Sequence, residues 1–366
     1  MARDPATRLR EREIRRARTR RRRQAAVGVL VAVIAAVGVA IGMAGGSQGH
    51  RGAHTSSGTG SGTGSSTATS TASPPPPPPA PSSFAVGLQS MQFVDTSREV
   101  KFLDGAVEPR TLVTEVRYPA LGSTSHIDES GANPDTSNGP YPLIVFGHGF
   151  EQKPSVYREL LQSWARAGYV VAAPAFPLES PDAPGGALES DVVNQPEDMR
   201  FVIDQLLAES EGSGPLAGLI NPGEIAVAGQ SDGGDTALAL AYDPRFRDRR
   251  IKAAAILSGA EIPELGPFTF PGGGPPLLAS QGTADKVNEP RYTYEYFAAA
   301  HRPKYLLRLP GAEHLPPYTS QQPQLGIVER TTLDFFNAYL KHAPEALQAL
   351  HSDGSVSGKA TLQAEP

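Results

Sequence analysis

The chain has 366 residues, a net charge of −5, no cysteine, 38 glycines and 35 prolines. Disulfide frameworks and thiolate chemistry are excluded outright, and the length leaves room for one large domain beside its N-terminal segments. The charge is unevenly divided: residues 1–24 hold eleven arginines against Asp4, Glu11 and Glu13, a balance of +8 that leaves −13 for the remainder.

A basic block of this kind serves nucleic acid or a membrane, and the next segment decides for the membrane. Residues 25–44 carry no charge and are built from Ala, Val, Ile, Gly, Leu and Met. That is enough to cross a bilayer as a helix, and the arginines on one flank place that flank in the cytoplasm. The expectation is an uncleaved signal anchor, single-pass, with no nucleic-acid partner. Ala40, Gly42, Ala44 and Gly45 would permit cleavage, which would leave a secreted protein instead. Residues 45–83 are Gly/Ser/Thr-rich and then hold the run Pro74 to Pro79. Such a composition cannot bury a core. It reads as a flexible stretch followed by a stiff polyproline spacer, a tether for an exported domain.

The domain proper is read as residues 84–347, followed by a flexible tail over 348–366. Apolar runs predict strands near 90–95, 111–117, 142–147, 169–173, 224–229, 251–258, 276–281 and 304–309. Amphipathic stretches predict helices near 155–167, 196–209, 233–242, 288–300 and 324–342. The alternation indicates an α/β fold, a mostly parallel eight-stranded sheet with helices on both faces. Fewer than 20 residues, many of them Gly or Pro, join the strands ending near Ser258 and starting near Pro276, so no large lid domain is expected.

Gly229-Gln230-Ser231-Asp232-Gly233 follows the apolar run Glu224 to Ala228 and precedes the helix-forming run Thr236 to Ala241. Strand, sharp serine turn, helix is the context of a nucleophile elbow. The tight turn strains the serine backbone and leaves no room for bulk two residues away. The helix start behind it favours negative charge. Serine oxygen is a weak nucleophile without a base, and the base needs an orienting acid. Four histidines follow Ser231. His314 lies in a loop just past the run Lys304 to Leu309, whereas His301, His342 and His351 read as solvated or capping residues. Asp285 follows the strand Pro276 to Gln281 and is the favoured acid. Glu261, after the preceding strand, is its rival. Asp235 is better placed to stabilise the first helical turn. Two backbone N–H groups should receive an oxyanion, those of Asp232 and of Phe150 in the loop Gly147-His148-Gly149-Phe150. His148 precedes the nucleophile and reads as structural.

These segments resemble an α/β-hydrolase, most closely the dienelactone-hydrolase-like branch that includes chlorophyllases and plasma-type platelet-activating-factor acetylhydrolases. The likeness is carried by Arg110 to Pro119, Tyr141 to Phe150, Ala167 to Pro174, Asn194 to Asp204, the elbow, Gly282 to Asp285 and Gly311 to His314. It implies Ser231 as nucleophile, Asp285 as acid, His314 as base, and Phe150 with Asp232 as oxyanion donors. Dienelactone hydrolases use a cysteine nucleophile, which this chain lacks, so the implied chemistry is serine ester hydrolysis. Peptidases, amidases and catalytically silent binding proteins share the fold and are the alternatives. No cofactor or metal is expected. Phe150, Tyr318 and the loop 174–195, with Phe176, are read as pocket walls or as ordinary packing. A site without a lid suits small soluble esters or an exposed polymeric ester.

Overall fold

The computed structural model describes residues 83–265, 270 and 272–366. The basic block, the apolar segment 25–44 and the linker up to residue 82 lie outside the described residues. Among those described, no helix is long and apolar enough to cross a membrane.

Among the described residues, ten strands form one sheet: β1 Ala85–Lys101, β2 Val107–Ala120, β3 Glu129–Ser130, β4 Tyr141–Gly147, β5 Val170–Ala175, β6 Ile220–Gln230, β7 Ile251–Leu257, β8 Leu277–Gly282, β9 Lys304–Leu309 and β10 Thr361–Glu365. Their order is β10-β9-β8-β7-β6-β4-β5-β2-β1-β3. β4 to β9 pair in parallel, so their carboxyl ends share one rim. A long antiparallel hairpin, β1–β2, joins antiparallel to β5.

Period-two alternation explains both cores. On β4, Leu143 and Val145 face one layer while Ile144 and Phe146 face the other, and all four are buried. A strand covered on both faces is therefore apolar throughout. The helices are α1 Arg158–Arg166, α2 Gln195–Glu211, α3 Asp232–Tyr242, α4 Pro290–Ala299, α5 Gln324–Leu340 and α6 Ala346–Asp353. α2, α3 and α4 cover one face through Met199, Ile203, Leu238 and Phe297. α1, α5 and α6 cover the other through Trp164, Leu325, Phe336 and Leu350. Trp164 lies edge-on to Phe336 at 5.3 Å and donates its indole N–H to Thr332 Oγ1 at 2.8 Å, which stitches α1 to α5.

Among the described residues the eight strands expected from sequence are joined by two more, β3 and β10, at the edges of the sheet. One expectation is corrected. Residues 348–366, read as a flexible tail, instead supply most of α6 and all of β10. Leu350 is buried against α5, and β10 pairs antiparallel with β9 from Thr361↔Arg308 to Glu365↔Lys304. Burial of Leu350 and Ala360 and backbone pairing along an open edge together order this segment.

Candidate active site

β6 ends at Gln230, and α3 begins at Asp232. Ser231 between them has φ 57° and ψ −125°, a conformation a non-glycine residue adopts only when its surroundings enforce it. They do so through the backbone. The Ser231 N–H donates to Leu257 O on β7 at 3.0 Å, and its C=O accepts from Asp235 N–H at 2.9 Å. A Cβ on Gly229 would overlap the Gly233 carbonyl, and one on Gly233 would overlap the Gly147 carbonyl, so both positions require glycine. β4, β6 and α3 thereby meet main chain to main chain beneath the serine.

His314 arrives from the loop after β9. Its Nε2 is 2.9 Å from Ser231 Oγ, and its Nδ1 is 2.7 Å from Asp285 Oδ2. With Nδ1–H donating to the carboxylate, Nε2 presents a lone pair to the serine hydroxyl. Three separated sequence positions, 231, 285 and 314, thus meet at the rim. Of the two acids weighed from sequence, the one on His314 is Asp285, not Glu261. Glu261 is instead pushed up to about 7, by burial first and by Glu295 second.

Asp285 is held by more than the histidine. Oδ1 accepts Val287 N–H at 2.8 Å and Asn288 N–H at 3.0 Å, an Asx-turn. Oδ2 accepts Gln281 Nε2 at 3.1 Å as well as His314. The Asn288 side chain then donates to Ser258 O at 2.7 Å, and Thr293 Oγ1 donates to Gln281 Oε1 at 2.6 Å. The acid loop is therefore tied to β8, α4 and the end of β7. Asp235 stands in the first turn of α3, as expected. Its Oδ1 also accepts Ala260 N–H, which draws the loop after β7 onto the elbow.

The loop after β4 runs beside the serine: a Cβ on Gly149 would lie 3.0 Å from Ser231 Cβ. Phe150 follows it, half-buried, and Asp232 opens α3. His148 is structural. Its Nδ1–H donates to Gly149 O and its Nε2 accepts Phe176 N–H, both at 3.0 Å. Complete burial lowers it to about 4, so the ring is neutral in a single tautomer. His301 is exposed, His342 reaches Glu224 Oε1 at 2.9 Å, and His351 sits exposed on α6; none of them joins the site.

Two residues weighed as pocket walls prove to be packing. Tyr318 is fully buried behind the acid loop, with its hydroxyl 2.9 Å from Ser258 Oγ. Phe176 is fully buried against the His148 ring. Asp191, near the end of the long loop after β5, is pinned to β2 and α2. Arg110 on β2 bridges Asp191 and Asp198, both at 2.6 Å, and all three are buried.

Sequence reasoning missed Gln230, Tyr157, Gln281, Asn288 and Thr293. The Asp-x-x-Asn spacing at 285–288 was a usable turn signal. Gln230 occupies the variable position of the elbow motif, which carries no signal of its own.

A mostly parallel sheet covered on both faces, with a strained serine between strand and helix and a histidine and carboxylate from later strand ends, defines the class of architecture: the chain has the α/β-hydrolase fold. Its middle is chlorophyllase-like, for the chlorophyllase family model matches residues 132–259. Chlorophyllase-1 of Arabidopsis thaliana is 32% identical over 106 residues, which cover 29% of this chain and 30% of that protein. The chain thus aligns with under a third of that relative. The ferulic acid esterase of Streptomyces cinnamoneus shares the fold with a TM-score of 0.57 and 22% identity, over 72% of this chain and 93% of that one.

Proposed function

We propose that the protein is a serine carboxylesterase that works through Ser231, His314 and Asp285. The observation that carries this reading is the continuous relay of 2.9 Å and 2.7 Å from hydroxyl to imidazole to carboxylate. The names of the two similar proteins, a chlorophyllase and a ferulic acid esterase, favour carboxylic esters over amides.

In this reading His314 Nε2 takes the Ser231 proton as Oγ attacks the ester carbonyl carbon. The oxyanion that forms faces the N–H groups of Phe150 and Asp232. As the carbonyl re-forms, the C–O bond to the alcohol breaks, and His314 returns its proton to the leaving oxygen. Water, deprotonated by His314, then attacks the acyl carbon and releases the acid and free serine. Asp285 holds the Nδ1 proton throughout and stabilises the imidazolium.

The substrates are short or medium esters, or an accessible polymeric ester chain. Across p-nitrophenyl esters from C2 to C16, kcat/KM is expected to peak at the short end. A maximum at C16 would overturn this substrate class and leave the nucleophile assignment standing.

We further infer that the domain works outside the cytoplasm, tethered through residues 25–44 with 45–83 as spacer; uncharged length and flanking arginines support this. On cell fractionation the full chain is expected in the membrane pellet, with the domain open to externally added protease. A full chain recovered from the cytosol would refute the tether.

A further inference from the structure

Gln230 is the last residue of β6, 1% exposed, and stands directly before the nucleophile. Both ends of its amide are engaged. Oε1 accepts from the Tyr157 hydroxyl at 2.8 Å, and that hydroxyl in turn accepts Gly149 N–H at 3.2 Å. Nε2 donates to the His314 carbonyl at 3.1 Å and lies 3.2 Å from His314 Nε2. The orientation is forced, because a flipped amide would set Oε1 against the His314 carbonyl, which can only accept. Burial pushes the Tyr157 pKa well up, so its hydroxyl remains a donor at working pH.

The Gln230 side chain, with the Tyr157 hydroxyl, therefore bridges two loops that both reach the serine. One is 147–150, which leads to the proposed oxyanion donor Phe150. The other is 311–315, which carries the base. Two side chains with matched donors and acceptors, Gln230 and Tyr157, tie both to the residue that precedes Ser231. The second Nε2 proton of Gln230 also faces the nitrogen that must accept and release the catalytic proton. Once that nitrogen is protonated, two N–H groups oppose each other, which favours passing the proton on to the leaving oxygen.

We propose that Gln230 is a positioning residue for ester cleavage, a clamp that sets the base loop and the oxyanion loop together and keeps His314 Nε2 from retaining its proton. This rests on the reading of Ser231 and His314 as nucleophile and base.

The test compares wild type, Ser231→Ala, Gln230→Met, Gln230→Glu, Tyr157→Phe and the double variant Gln230→Met with Tyr157→Phe on p-nitrophenyl butyrate, with melting curves for each. Gln230→Met has similar length and neither polar end. It is expected to lower kcat by about 10²-fold with little change in KM, the cost of a misplaced reacting group. Tyr157→Phe is expected to lower kcat less, and the double variant to be no worse than Gln230→Met alone, because both changes cut the same bridge. Gln230→Glu sets a carboxylate beside His314, opposite Asp285. It is expected to move the acid limb of the rate profile up by about one pH unit. A kcat for Gln230→Met within twofold of wild type, a loss carried by KM, or an unmoved limb in Gln230→Glu would each overturn the proposal. Should Gln230→Met fail to melt cooperatively, Tyr157→Phe decides: reduced kcat supports the clamp and unchanged kcat refutes it. A wild type that neither cleaves ester nor takes up a fluorophosphonate would remove the underlying reading of Ser231. An active wild type matched by an equally active Gln230→Met would remove the clamp alone.

Discussion

Ser231→Ala is expected to lower kcat by roughly 10⁵- to 10⁶-fold, the scale seen when a triad serine is removed. The substitution deletes one oxygen and little else. The bonds that hold this residue at φ 57° are made by its backbone, to Leu257 O and from Asp235 N–H, and alanine keeps both. The glycine contacts on either side of the turn are likewise untouched. The variant should therefore fold with an unchanged melting profile and still bind substrate, and only the bond-forming atom is missing. Fluorophosphonate labelling gives an independent readout: wild type takes up the label and the variant does not. Equal labelling of the two proteins would place the nucleophile elsewhere.

Asp285→Asn is expected to be nearly as severe, about 10⁴-fold in kcat. The reason lies in four donors aimed at one carboxylate. Val287 N–H and Asn288 N–H both point at Oδ1, so an asparagine must keep its oxygen there. Its amide nitrogen is then forced into the Oδ2 position, against Gln281 Nε2–H and His314 Nδ1–H. Donor faces donor. His314 escapes the clash by moving its proton to Nε2, where it faces the serine hydroxyl, and the ring ceases to be a base. Glu261→Gln should leave the rate close to wild type, since His314 does not rest on that carboxyl. Pre-steady-state acylation measured on both variants at neutral pH separates them. A mild Asp285→Asn with a crippled Glu261→Gln would reverse the assignment of the acid.

Much of this was legible in the residues alone, for definable reasons. The central strands are buried on both faces and read as unbroken apolar runs, as in Leu143 to Phe146. The elbow is legible because sterics permit few residues around a strained serine. His314 was legible because its rivals lay in helices or at polar ends. The acid was ambiguous, because Asp285 and Glu261 both follow strands, and only three-dimensional convergence separates them. β10 was hidden because Thr361 to Glu365 is polar with a single leucine, and its order comes from pairing with β9. Tyr318 and Phe176 illustrate another limit: burial on the inner side of a loop and exposure on its outer side leave the same local pattern. The Tyr157–Gln230 bridge spans residues 73 apart in sequence and leaves no periodic trace.

The contact of Gly147, Gly229 and Gly233 has a consequence for how such an enzyme changes over time. The Ser231 hydroxyl is carried on peptide units that touch one another, with no side chain wedged between them. In the proposed esterase, side chains outside this contact can change without moving the serine that they surround. Selectivity and reactivity are thus written in separable parts of the chain, and the first can drift while the second stays fixed.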